Sequence, residues 1–169
     1  MRRSRLAVSL IAVIVALVLQ TTVFAAGRIQ PLGVSPSLVV LVLIAIAPFV
    51  EAEYHILLGF TSGLLVDLIG SGTLGLWAMT LTAVAFAANR LGPRFADSIV
   101  MSLIVVFGLT LFSQVLYVLL GTLFGQETLS EPSLAKKILL PAVWNVVLAY
   151  PTFWLLRFAF QPRDRNWAA

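Results

Sequence analysis

Residues 6–26 read LAVSLIAVIVALVLQTTVFAA, an uncharged apolar run preceded by Arg2, Arg3 and Arg5. A bilayer core needs about 20 such residues for one helical span, so this run is long enough to cross. It is not isolated. Further apolar segments occupy about 36–50, 54–69, 74–89, 98–124 and 138–160, and no stretch between them is large enough for a soluble domain. Of the 169 residues, 60% are hydrophobic and 11% charged, against about 25% charged in a soluble domain. The pattern predicts an all-α, polytopic membrane protein: one integral membrane domain over 1–169, built as a six-transmembrane-helix bundle.

The basic residues set its orientation, because cytoplasmic loops carry the excess of Lys and Arg. With the N-terminus inside, six helices place Arg2, Arg3, Arg5, Arg90, Arg94, Arg157, Arg163 and Arg165 on the cytoplasmic side. Only Arg28, Lys136 and Lys137 fall outside. Merging the second and third segments flips everything downstream and leaves five inside against six outside. Six helices, with both termini cytoplasmic, therefore fit best. The second and third segments are short for straight spans and are read as a tilted or re-entrant-like pair. Any non-helical backbone there must be satisfied by other protein. The start also imitates a secretory signal, with small residues around Val23-Phe24-Ala25. Its apolar run is long for one, and a retained first helix is the better reading.

The net charge of +4 raises the question of nucleic acid. There is no basic helix face and no array of stacking aromatics, so no nucleic-acid partner is expected; the basic residues meet lipid headgroups instead. The chain has no cysteine, which excludes disulfides, thiolate metal sites and cysteine nucleophiles. The single histidine, His55, follows Glu51 and Glu53 in what reads as an interfacial loop. That is too little to hold a metal, and no cofactor is expected. No nucleophile elbow, P-loop or zinc-protease motif occurs. One intramembrane aspartate is not the pair that an intramembrane protease needs. The chain reads as no enzyme.

The most unusual stretch is Gly59-Phe60-Thr61-Ser62-Gly63-Leu64-Leu65-Val66-Asp67-Leu68, followed after a Gly-Ser-Gly-Thr turn by Leu74-Gly75-Leu76-Trp77-Ala78. Gly59 and Gly63 have the small-xxx-small spacing that lets helices approach closely. Packing within the chain is the simpler reading, and a face for a partner's helix is the other. Asp67 is the only acidic residue within an apolar run. It is either a carboxylate engaged inside the bundle or with a partner, or a helix-end residue bonded to the Gly70–Thr73 turn. The latter is preferred. Gly75 and Trp77 complete the candidate packing or partner-contact set. Gln20, Gln114 and Asn145 are polar groups in apolar helices, whose ordinary role is interhelical hydrogen bonding. Arg90, Arg94 and Arg157 are expected to snorkel to the cytoplasmic interface. Trp77, Trp144, Trp154 and Trp167 suit interface anchoring or bundle packing.

The run Leu19-Gln20-Thr21-Thr22-Val23-Phe24 closing the first helix, and the Gly59–Leu68 block with its Leu74-Gly75-Leu76-Trp77-Ala78 continuation, resemble the MreD family of bacterial rod-shape-determining membrane proteins. The specific similarity covers about 25 residues; the length and the helix number agree across most of the chain. The resemblance implies a non-catalytic, multi-pass scaffold of the peptidoglycan elongation machinery in the bacterial inner (cytoplasmic) membrane. It implies MreC as direct partner. Through MreC it implies links to RodA, the elongation-specific penicillin-binding transpeptidase and MreB, with membrane lipids around the bundle and a homo-oligomer left open. It also implies an architecture similar to the substrate-binding S-components of energy-coupling-factor vitamin transporters.

Such an S-component is the alternative reading. Ala12-x-x-x-Ala16 in helix one has a spacing used for docking, and 121–137 could form a lid. The helices carry few polar groups for capturing a vitamin. A secondary transporter or flippase subunit is a third reading, but no internal repeat supports it.

Overall fold

The apolar runs form six helices in the computed structural model, which describes residues 2–24, 33–70, 72–92, 98–126 and 132–160, with side chains from Arg5 onward. They are α1 (Arg2–Thr22), α2 (Leu38–Ile46, continued by a 3-10 turn at Ala47–Phe49), α3 (Ala52–Ile69), α4 (Leu76–Leu91), α5 (Ile99–Leu123) and α6 (Leu134–Phe160). Among the described residues there is no strand. Four helices, α1, α3, α5 and α6, are long and apolar enough to cross a membrane. The six-helix, all-α reading holds, with a correction to which members are short. The third helix starts at Ala52 and has 18 residues, so the Glu51–His55 stretch is mostly helix rather than loop. The short members are α2, with 9 residues, and α4, with 16. At 1.5 Å per residue α2 rises only about 14 Å, roughly half of a ~30 Å hydrocarbon core. The sixth helix starts at Leu134, four residues early, and takes Lys136 and Lys137 into its first turn.

Hydrogen bonds between helix ends fix the direction of each element. Gln20, near the end of α1, bonds the start of α2 at Val39. His55, at the start of α3, bonds Leu43 near the end of α2 and Asn89 near the end of α4. Asp67, near the end of α3, bonds the start of α4. Gln126, just past α5, bonds Thr73, just before α4. Phe49, after α2, stacks on Phe160 at the end of α6, with ring centroids 4.6 Å apart. The six helices therefore alternate in direction, and Arg5, Arg90 and Arg157 share one end of the bundle.

The centre of the bundle is α2. Val39, Val40, Leu41, Leu43, Ile44, Ala45 and Ile46 are all at most 2% exposed. A helix that is apolar on every side belongs inside other helices, and α1, α3, α4, α5 and α6 all pack on this one. The outer helices turn large apolar side chains outward, such as Ile11, Leu68, Val100 and Phe158. That is a surface for lipid, not water. Ala16 faces inward at 3% exposure and Ala12 packs against the same core, so the AxxxA spacing of helix one is spent inside the bundle.

Candidate functional site

A buried half-length helix has a problem at each end, because the first N–H and last C=O groups of any helix lack intrahelical partners. In lipid no water meets them. Side chains from the surrounding helices do so here. At the start of α2, the Gln20 side-chain oxygen accepts the Val39 N–H at 3.1 Å. Gln114 of α5 donates to the Ser37 hydroxyl at 2.8 Å. Asn145 of α6 donates to the Ser37 carbonyl at 3.0 Å and to the Thr110 hydroxyl at 3.1 Å. Gln20, Gln114 and Asn145, which are far apart in sequence, thus converge on Ser37–Val39. The Asn145 oxygen is buried without a protein partner among the described residues.

At the other end of α2, the His55 ring bonds the Leu43 carbonyl through Nε2 at 2.8 Å. Its Nδ1 meets the Asn89 amide at 2.6 Å. The amide also donates to the Ala85 carbonyl. Amide N–H donation to Nδ1 leaves Nε2 as the protonated nitrogen that donates to Leu43. His55 is fully buried in α3. This corrects its placement in an interfacial loop: the helix begins earlier than the acidic residues suggested, and the ring turns inward to cover an orphan carbonyl.

His55 also opens a stripe. His55, Gly59, Gly63 and Asp67 recur every four residues, the spacing that places side chains on one helix face. All four are buried, and the two glycines of the stripe meet α4. A Cβ on Gly59 would lie 2.7 Å from the Leu81 carbonyl oxygen and 2.8 Å from Ala85 Cβ. On Gly63 it would strike the Trp77 carbonyl oxygen and come within 2.5 Å of Ala78 Cα. The glycines thus bring α3 and α4 closer than any side chain allows.

At the far end of the stripe, Asp67 is 4% exposed. One carboxylate oxygen accepts the N–H groups of Gly75 at 2.9 Å and Ala78 at 3.1 Å; the other accepts that of Trp77 at 3.1 Å. Among the described residues, the carboxylate's partners are therefore not in the expected Gly70–Thr73 turn but at the start of α4. A carboxylate is favoured there both as hydrogen-bond acceptor and by the positive end of the helix dipole. Gly75 makes the approach possible, since its φ of 97° lies in the left-handed region. Trp77 stacks on Tyr117 of α5, with centroids 4.4 Å apart, and so ties this corner to a third helix.

Of the other residues singled out, Arg90 and Arg157 sit at the basic end, the former over the Phe86 ring. Trp144 is half-buried, and its indole N–H has no partner among the described residues. Trp154 is 65% exposed. Arg28, Arg94, Arg163, Arg165 and Trp167 lie outside the described residues, as does Ala25 of the signal-like Val23–Ala25 site. Sequence reasoning missed Ser37, Asn89, Thr110 and Tyr117. The four-residue repeat through His55 was the one readable signal for the first partner of α4.

Chemically, these clusters join helices. Both Asp67 oxygens and both His55 nitrogens are occupied by protein groups. Among the described residues, no group of three or more His, Cys, Asp or Glu is placed to hold a metal. The family model for rod shape-determining protein MreD matches residues 1–159 of the chain. No curated protein and no solved structure matches it.

Proposed function

From the premise that this chain belongs to the MreD family of rod shape-determining membrane proteins, we propose that it is a non-catalytic scaffold of cell-wall elongation, acting in the cytoplasmic membrane through MreC. The observation that carries this reading is the use of its buried and half-buried polar groups. Asp67, His55, Asn89, Gln20, Gln114 and Asn145 each bond a residue outside their own helix. Polar groups committed to fixing helices suit a rigid membrane platform and leave little for capture of a polar substrate. Rigidity serves such a role, because a partner's helix binds a preformed face without the cost of ordering it.

The vitamin-capture alternative predicts an outward docking stripe on α1, whereas Ala16 lies in the core. The test is purification of the tagged full-length chain in mild detergent, with co-purifying proteins identified by mass spectrometry. Recovery of MreC with the elongation-specific synthases is the expected outcome. Recovery of a transmembrane coupling protein with two ATPases would replace the scaffold reading with vitamin capture.

A further inference from the structure

At the basic end of the bundle a groove opens between α5 and α6. Its volume is about 530 Å³, within the ~300–1,000 Å³ of small-molecule sites. The end of α2 at Ala45 and the 3-10 turn with Pro48 and Phe49 line its inner side.

Along α6 the wall is a single stripe: Val146, Tyr150, Phe153 with Trp154, and Arg157. From Val146 to Arg157 the helix rises about 16 Å, roughly one leaflet of a ~30 Å hydrocarbon core. The lining is apolar for most of that length and ends in a guanidinium at the helix end, where headgroups lie. Arg157 is exposed and makes no ion pair among the described residues. Among the described residues, the acidic ones at this end, Glu51 and Glu53, do not line the groove.

We infer that this groove is a binding site for one anionic phospholipid of the cytoplasmic leaflet, with an acyl chain lying along Val146–Trp154 and the phosphate paired with Arg157. Three features select this occupant. The groove is one leaflet long, which matches the length of one acyl chain. Its apolar lining suits hydrocarbon, and Trp154, one turn from Arg157, is of the type that favours the chain–headgroup boundary. Among the described residues its one charge is positive, and a guanidinium pairs with phosphate in a two-pronged geometry that an ammonium lacks. The inference does not depend on the scaffold reading, since it concerns the opposite end of the bundle from the Asp67 corner and requires no protein partner.

The test is native mass spectrometry of the full-length chain in detergent with equal amounts of phosphatidylglycerol and phosphatidylcholine. The expected result is one retained phosphatidylglycerol with about a fivefold preference over phosphatidylcholine, corresponding to the ~1 kcal/mol of one basic residue at an anionic surface. Arg157→Gln, at an exposed position, should abolish the preference while the chain remains folded. Arg90→Gln, at the same end but outside the groove, should leave it intact. Equal retention of both lipids by the unaltered chain would overturn the proposal, as would a preference that survives Arg157→Gln or falls equally with Arg90→Gln. Displacement of phosphatidylglycerol by equimolar polyprenyl phosphate would overturn the assigned occupant.

Discussion

His55 and Asp67 stand on one face of α3 and hold opposite ends of α4: the ring bonds Asn89 in its last turns, and the carboxylate bonds Gly75, Trp77 and Ala78 at its start. Between them Gly59 and Gly63 remove the side chains that would keep the helices apart. The α3–α4 pair is thus clasped along its length, and the clasp extends to α2 through the Leu43 carbonyl.

The carboxylate at 67 is therefore expected to matter through α4 and not through a reaction. Asp67→Asn keeps one acceptor oxygen but turns an amide NH₂ toward at least one backbone N–H. Hydrogen bonds to a charged group contribute about 1.5–3 kcal/mol, so a loss of roughly 1–3 kcal/mol is expected in unfolding from mixed micelles. Wild-type stability together with impaired cell shape would instead place the carboxylate in partner contact.

Glycine substitutions should separate by position along the chain. Gly63→Ala and Gly59→Ala drive a methyl into α4 backbone and should cost about 1–3 kcal/mol each, the range for overpacking. Gly63→Arg should not yield a folded bundle. Gly108→Ala, in α5 with open space around it, should be neutral or stabilising by up to about 1 kcal/mol through helix propensity. Equal effects at 63 and 108 in a thermal-stability assay would refute close packing as the role of Gly63.

Removing the buried ring should expose an unmet carbonyl. His55→Ala leaves the Leu43 oxygen without its side-chain donor and Asn89 with the Ala85 carbonyl as its remaining acceptor. The expected loss is about 1–3 kcal/mol. A double-mutant cycle with Asn89→Ala should give a coupling of at least about 0.5 kcal/mol, as for residues in one network. Strict additivity would mean the pair does not act together.

The other end of α2 gives a parallel expectation. Asn145→Leu removes the donor to Ser37 and Thr110, and interhelical hydrogen bonds in membranes average about 0.6 kcal/mol. A loss near 1 kcal/mol is expected, with faster backbone hydrogen exchange at Val39 and Val40. Unchanged exchange there would show that Gln20 and Gln114 hold the helix start alone.

By itself the sequence determined that the chain is a membrane-embedded helical bundle, because runs such as 6–26 and 98–124 cannot be dissolved in water and cannot expose backbone to lipid except as helix. It also marked Gly59, Gly63 and Asp67 as unusual, since small residues at a spacing of four and a lone acid in an apolar run each carry a local physical meaning. What it could not determine is which polar group answers which. His55 looked like a loop residue because Glu51 and Glu53 precede it, and only the burial of α2 supplied the orphan carbonyl that draws it inward. Asp67 looked like the cap of its own turn because hydrogen-bond partners close in sequence are the visible ones. The start of α4 came within reach only when two glycines closed the gap between helices. Gln20, Gln114 and Asn145 each announced a bond, but their common target at Ser37–Val39 depends on a central helix too short to span. Partner choice among buried polar groups is decided by tertiary approach, and no local pattern encodes it.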